Sequence, residues 1–433
     1  MLLLDSPPEI FQGIVHALVS QAGVSEAWKL RGVCRTFAAE IKHDIFANQP
    51  KDAFRDSRSR RVLAEELPLY LSNRTKKLLD AENALPEKVK GMVGNLTNIL
   101  DVGDQADSQK QHYTETLCKA VLREWGFSAV FAIIGMDGDN DRSLSLGISL
   151  QRDLDFEEDI AAFAAIGEHD IVRRLLPRFT QTSESPTFGN PLANAALMGH
   201  GNVITVISDY LQRAKKETTS NYAFLLDRFW DGKLAYIINT TIKSGRTDIL
   251  DQLLAMYKTH HGHPDKSFYN RWLRTAVDSG NAQFVDRILR ITIRSKPKVL
   301  VKTFEAACEL KNADVVAMLL GTSRMHPDQA FLLFSPLAAA IRLGDESVVT
   351  TVLDAGANVN GVSFEGKHYP ALQVAVDLNE ASIVKIMLDR GAILDGIQVP
   401  ENMVAIRKLF ADAQRERELE LDYWISYWVM TVQ

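Results

Sequence analysis

Ser335-Pro336-Leu337-Ala338-Ala339-Ala340 opens a stretch that runs through Gly344, Val348-Val349 and Val352-Leu353 to Gly356-Ala357-Asn358-Val359-Asn360. The chain then repeats the course: Pro370-Ala371-Leu372-Gln373-Val374-Ala375, Asn379, Ile383-Val384, Met387-Leu388, Gly391-Ala392. Matching residues lie 35 apart, as Leu337 and Leu372 or Gly356 and Gly391. Self-similarity at a fixed period of this size marks a stack of small supersecondary units. Within each unit the apolar spacing reads as helix, tight turn, helix.

Working upstream, the residue at the turn serves as an anchor. Gly167, Gly199, Gly245, Gly280, Lys311, Gly344 and Asn379 fill that place, at successive steps of 32, 46, 35, 31, 33 and 35. Four residues before the anchor stand Phe163, Ala195, Thr241, Ala276, Ala307, Ala340 and Ala375, mostly small, so that two antiparallel helices can approach closely. Four and five residues after it come Ile171-Val172, Val203-Ile204, Ile249-Leu250, Phe284-Val285, Val315-Val316, Val348-Val349 and Ile383-Val384. All fourteen are apolar, where a chain that is 46% hydrophobic would supply about half by chance. Glycine at the anchor suits a left-handed backbone. One unit cannot bury its own apolar stripe, so neighbours must complete the core. The step of 46 implies an insertion around Lys215 to Asp227, and His260-His261-Gly262-His263-Pro264-Asp265 reads as an extended loop between units.

These units resemble the ankyrin repeat, with its T-P-L-H-x-A opening and period near 33. Ser335-Pro336-Leu337 stands for Thr-Pro-Leu, and Gly356-Ala357-Asn358-Val359-Asn360 matches the family's Gly-Ala-Asp-Val-Asn ending. The family's histidine is replaced by Ala338 in one unit and Gln373 in the next. The resemblance implies an all-α solenoid that binds proteins. Val399 to Leu419 reads as a closing helix, and the aromatic tail, Trp424, Ile425, Tyr427, Trp428 and Val429, is expected to fold back onto the last repeat.

Composition narrows the function classes. At 433 residues the chain is too long for one ordinary core and suits either about three domains or an elongated array. A net charge of −6 argues against a nucleic-acid partner. Cys34, Cys118 and Cys308 are far apart and form no CxxC pair, so neither a zinc site nor a disulfide framework is indicated, and a reducing compartment is the simplest reading. Met1 to Leu4 is too short an apolar run for a signal peptide, and no stretch reaches the roughly 18 apolar residues of a membrane span. The expectation is a cytoplasmic or nuclear protein with no membrane partner.

Residues 1–50 form a separate module. Ser6 is a candidate helix cap before Pro7-Pro8, with Glu9 as its capping-box partner. The helix Glu9 to Ser20 carries Ile10, Phe11, Ile14 and Leu18 on one stripe; after a loop, with Ser25 a candidate second cap, another helix carries Trp28, Leu30, Val33, Cys34, Phe37 and Ile41. Pro8-Glu9-Ile10 and Leu30-Arg31-Gly32-Val33-Cys34-Arg35-Thr36-Phe37 resemble the two halves of an F-box, although Pro7 holds the place of the family's leucine. An F-box followed by ankyrin repeats looks like an arrangement in filamentous fungi. The resemblance implies docking of a Skp1-type adaptor through Pro8, Ile10, Phe11, Ile14, Leu30, Val33 and Phe37. The alternative is that these residues pack inward and cap the array.

Residues 51–158 read as a helical linker region or degenerate repeats: Val62, Leu63, Leu67, Leu69 and Leu71 continue as helix, followed by helices over Glu87 to Leu100 and Tyr113 to Gly126. Asp137-Gly138-Asp139-Asn140-Asp141 is a polar loop, because Arg142 and Ile148 stand where a calcium loop needs glycine and glutamate. No nucleophile, phosphate-loop or zinc motif occurs, which leaves no catalytic, cofactor-binding or metal-ligating residue to name. The domain plan is therefore 1–50 module, 51–158 helical region, 159–398 about seven repeats, and 399–433 capping helix and tail. Three functions compete: recruitment of a target to an SCF-type ubiquitin ligase, a plain scaffold, and an enzyme with its active domain at 51–158.

Overall fold

The computed structural model describes residues 6–76, 84–101, 106–133, 156–178, 185–217, 221–293, 301–321, 325–328, 335–361, 363–364, 367–368 and 370–432. The loop at 137–141 lies outside them. The chain divides into two compact units, Met1–Phe229 and Trp230–Gln433. Among the described residues it is all-α, apart from one antiparallel hairpin of β1 (Ser363–Phe364) with β2 (Lys367–His368).

The first unit opens with α1 (Pro8–Ala22), α2 (Val24–Lys29), a 3₁₀ turn (Leu30–Gly32) and α3 (Arg35–His43), then a π-type turn over Asp44–Asn48. The expected second helix is thus three pieces. Ser6 does not cap α1: its cap position is Pro7, which offers no side-chain acceptor, and Pro8 takes the first helical position, where a missing N–H costs nothing. Ser25 does not cap α2 either; Gly23, at φ 80°, joins the two helices. Cys34 caps α3, its Sγ accepting from Phe37 N at 3.4 Å. Four further helices follow: α4 (Ser57–Glu65), α5 (Leu67–Lys76), α6 (Ala84–Ile99) and α7 (Ala106–Ile133), the last broken at Gly126 (φ 73°, ψ 165°). Two helix pairs complete the unit, α8 (Phe156–Ile166) with α9 (His169–Leu175), and α10 (Pro191–Met198) with α11 (Gly201–Glu217).

The second unit holds most of α12 (Asn221–Lys243), paired with α13 (Thr247–His261). The pairs α14 (Lys266–Asp278) with α15 (Ala282–Leu289), α16 (Val301–Glu309) with α17 (Ala313–Leu320), α18 (Pro336–Arg342) with α19 (Glu346–Asp354), and α20 (Ala371–Asp377) with α21 (Ala381–Asp389) follow. A long α22 (Val404–Val432) closes the chain. First helices stack on first helices from α14 to α20, and second helices on second from α13 to α21, which is the arrangement of a helical-repeat solenoid. In the first unit α8 packs on α10 and α9 on α11 in the same way.

The turns explain the register. All seven anchors have positive φ: Gly167 91°, Gly199 87°, Gly245 75°, Gly280 66°, Gly344 67°, and, without the freedom of glycine, Lys311 52° and Asn379 58°. All fourteen apolar residues that follow them are buried, none more than 9% exposed. The seven residues four before the anchor are at most 2% exposed. The Ser-Pro opening is a helix start: Ser335 Oγ accepts from Ala338 N at 3.2 Å while Pro336 takes the first position.

Three expectations change. The insertion after Gly199 enters helix rather than loop, since α12 runs 23 residues. His260 and His261 belong to α13, so the loop shrinks to Gly262-His263-Pro264, and Asp265 caps α14. The tail does not fold back. Residues 399–403 are not helical, α22 starts at Val404, and its aromatic end stays exposed: Tyr423 67%, Trp424 63%, Tyr427 53%, Trp428 65%.

Candidate functional site

The N-terminal module sorts its apolar residues into two sets. Phe11, Val15 and Val19, at four-residue spacing on α1, point inward with Val24, Ala27 and Trp28 of α2. Phe11 meets Phe37 with ring centroids 6.1 Å apart, which seats α1 on α3. An aromatic chain extends inward: Trp28 edge-on to Phe46 at 5.6 Å, Phe46 stacked on Phe54 at 6.4 Å, and Phe54 edge-on to Tyr70 of α5 at 5.7 Å.

Polar groups lock the same junction. Asp44, 2% exposed, receives His16 Nδ1 at 2.8 Å, Asn48 Nδ2 at 3.1 Å and Gln49 Nε2 at 2.7 Å. Arg74 of α5, also buried, donates from Nη2 to Gln49 O and lies over the Tyr70 ring at 4.7 Å. The module is therefore fastened to the helices that follow it, as a cap would be. Sequence reading missed these polar residues, because a single Asp, His or Arg inside an apolar pattern carries no periodic signal.

The second set faces out. Ile10 is 56% exposed, Ile14 43%, Leu30 39% and Val33 69%, and Pro8 is exposed as well. Of the seven residues expected to dock an adaptor, these five are on the surface, whereas Phe11 and Phe37 are at most 9% exposed and form core. The reason is helical phase: Ile10 and Ile14 precede Phe11 and Val15 by one residue each, about 100° around α1. Gly13 adds no side chain to this outward face, and nothing lies within 4 Å of the position a Cβ would take. Basic residues rim the Leu30 and Val33 end. Arg31 lies over the Trp28 ring at 3.2 Å and donates to Trp28 O at 2.8 Å, with Lys29 and Arg35 exposed beside it. Beside the patch, Gln12, Gly13, His16, Glu40, His43 and Asp44 line most of an open cavity of about 470 Å³.

The repeats carry a second class of surface, the turns and loops held in line by side chains that reach backward or forward along the chain to a neighbouring turn or loop. Asn312 Nδ2 donates to Gly280 O at 2.9 Å, and His200 Nε2 lies 2.9 Å from Ala165 O. Asn358 N donates to Asp328 Oδ1 and Ile393 N to Asn360 Oδ1, each at 2.7 Å. Gln373, in the place of the family's histidine, uses both amide atoms on the backbone of Gln398, at 2.9 and 2.7 Å.

Chemistry elsewhere is sparse. Glu158, fully buried, accepts from Ser185 and Thr187 at 2.8 Å each and pairs with Lys88 Nζ at 2.9 Å, which satisfies it as a structural group. Burial pushes the Cys118 and Cys308 thiols up to about 12, so neither is a nucleophile in the folded chain. Among the described residues there is no cluster of three His, Cys, Asp or Glu side chains that could hold a metal, and no helix is long and apolar enough to cross a membrane.

No family model matches the sequence, and no curated protein matches it. Among solved structures the chain is similar to the ankyrin repeat domain of human ASB11, at 18% identity and a TM-score of 0.36, covering 54% of this chain and 98% of that one. It is also similar to the ankyrin repeat domain of Bcl-3, a member of the IkappaB protein family, at 16% identity and a TM-score of 0.31, covering 59% of this chain and 97% of that one. The repeat assignment stands on the turns and burial described above.

Proposed function

We propose that this chain is a non-catalytic recruiting subunit: its N-terminal module docks a Skp1-type adaptor of an SCF-type ubiquitin ligase, and its repeats hold a target protein. The observation that supports it most is the outward placement of Pro8, Ile10, Ile14, Leu30 and Val33. Large aliphatic side chains exposed on α1 and at the 3₁₀ turn, two elements that both pack on α2 and α3, are what an apolar protein contact requires. Arg31 and Arg35 at one edge, beside the Lys29–Glu26 ion pair, favour a partner with an acidic rim. Repeat arrays bind through variable turns and inner helices while the stacked core persists, which suits the target-holding half.

The cap reading has its own support in the Arg74–Gln49 link and the aromatic chain to Tyr70. A module fastened on one side and apolar on the other can serve both roles. The test is co-purification with a Skp1-type protein, comparing wild type with Ile10→Asp/Val33→Asp. Both positions are exposed, so the variant keeps its fold. Capture by wild type and at least tenfold weaker capture by the variant supports docking. No capture by either, or equal capture by both, removes the ligase link and leaves a scaffold.

A further inference from the structure

The closing helix carries an inner stripe that outlasts the surface it covers. On α22, Ile406 is fully buried, Phe410 and Ala413 are half-buried, and Arg417 donates to Ala392 O at 2.6 Å. These residues step by four, three and four along one face of the helix, which packs on α21. The next steps of four, three and four bring Leu421, Trp424 and Trp428, on the same stripe, at 61%, 63% and 65% exposure. Ile425 flanks them at 52%, and Leu419, Tyr423 and Tyr427 form a neighbouring stripe, also exposed. Trp424 sits edge-on between Tyr423 and Tyr427, with centroids 6.3 and 6.0 Å away.

We propose that this segment is a self-association surface, in which the 419–432 ends of two copies of this chain pair antiparallel. Three observations select a second copy. The stripe repeats every seven residues, 410 to 417 to 424 and 421 to 428, which is the seam of one helix against another. The area is of the right order: four aromatic side chains of about 150–250 Å² each, more than half exposed, with Leu419, Leu421 and Ile425, present at most roughly 800 Å² per chain over two adjacent stripes, against about 800 Å² per partner in a standard interface. Charge sets the direction. Glu416, Glu418, Glu420 and Asp422 precede the aromatic block, and no charged residue follows them. A parallel pair would set this acidic collar against its own copy. An antiparallel pair centred between Ile425 and Ser426 sets each Tyr423 opposite the partner's Trp428 and each acidic collar beyond the other's aromatic block. A membrane surface is the weaker fit, since an acidic collar with no basic residue after Arg417 is repelled by anionic lipid.

Sedimentation velocity of the full chain over about 1 to 100 µM tests this. The expected result is twice the 48.3 kDa chain mass at the upper end, and the single-chain mass throughout for Trp424→Glu/Trp428→Glu. Circular dichroism of the variant at about 1 µM, where the wild type is expected as a single chain, is expected to keep the helical signal and unfolding midpoint of the wild type, because both side chains are exposed. A wild type that stays at one chain mass to 100 µM overturns the proposal and assigns the surface to a different protein or a membrane. A dimer that survives the double substitution overturns it by placing the contact elsewhere.

Discussion

Val349 in the repeats and Val33 in the N-terminal module are the same residue in opposite surroundings, at 0% and 69% exposure. Val349 lies on a helix packed between α17 and α21, so every apolar side chain after its turn meets a neighbour. Val33 follows a 3₁₀ turn at a free edge, where α3 and α2 supply packing on one side only. Stacking buries apolar surface twice in the middle of an array and once at its margins. The difference teaches where to look for partners: at both margins of this chain, residues 8–33 and 419–428, large apolar side chains outnumber the neighbours available to cover them.

The sharpest break of this comparison is one substitution made in both places. Val349→Asp buries a carboxylate with no partner and is expected to cost at least about 3 kcal/mol, which removes the cooperative unfolding of the second unit. Val33→Asp is expected to stay within about 0.5 kcal/mol of wild type. Urea unfolding followed by circular dichroism reads both; comparable losses would mean that Val33 is core.

The thiols test the same contrast chemically. Cys34 is partly exposed at the module's edge, whereas Cys118 and Cys308 are buried and pushed from 9.0 up to about 12, chiefly by desolvation. At pH 8 that is about a thousandfold less thiolate. Labelling of the native chain with a maleimide is expected to modify Cys34 first and the other two only on unfolding. The same shift has a sign for stability. Above pH 9 the unfolded chain ionises these two thiols while the folded chain does not, so folding weakens as pH rises.

How much was legible follows from repetition. The anchors at 167 to 379 could be found because seven units each vote for the same pattern, and an error in one, such as Lys311 in place of glycine, is outvoted by the rest. The left-handed turns, the buried pairs and the small residues before the turn were all readable on that basis. The N-terminal module occurs once. Its stripe of Ile10, Phe11, Ile14 and Leu18 covers about 100° of the helix circumference, and nothing in the sequence says which edge of it is covered. Phe11 and Phe37 turned inward because aromatic rings fill the junction with Trp28, Phe46 and Phe54, a contact set that no spacing rule contains. The aromatic tail was misplaced for a related reason: apolar content argues for burial, but α22 carries that segment past the last repeat.

Turns give a smaller and more local contrast. At Gly167 an added Cβ would lie 2.7 Å from His200 Nδ1, while the other ring nitrogen of His200 holds Ala165 O at 2.9 Å. Gly245 has a similar φ of 75° and open space around it. Gly245→Ala is expected to cost about 1–2 kcal/mol for the left-handed backbone alone. Gly167→Ala adds a clash and a strained link between units, for about 2–3 kcal/mol in total. Equal losses in thermal unfolding would show that the histidine link is slack and that backbone conformation alone sets the cost.

The smallest effect runs in the opposite direction. Lys311 adopts φ 52° at a position where five of the seven anchors are glycine. A side chain there is strained by roughly 1–2 kcal/mol relative to glycine, and glycine gives back part of that through its freer unfolded chain. The Lys311 ammonium lies 3.9 Å from Asp345 Oδ2, but this pair is exposed on the lysine side and contributes little. Asp345 keeps its own task, accepting from Val348 N at 3.1 Å at the start of α19. Lys311→Gly is therefore expected to stabilise the second unit by about 0.5–1 kcal/mol, read as a higher urea midpoint at unchanged slope. A lower midpoint would mean that the charge pair between neighbouring turns outweighs backbone strain, and that the ladder of turns is held electrostatically as well as by conformation.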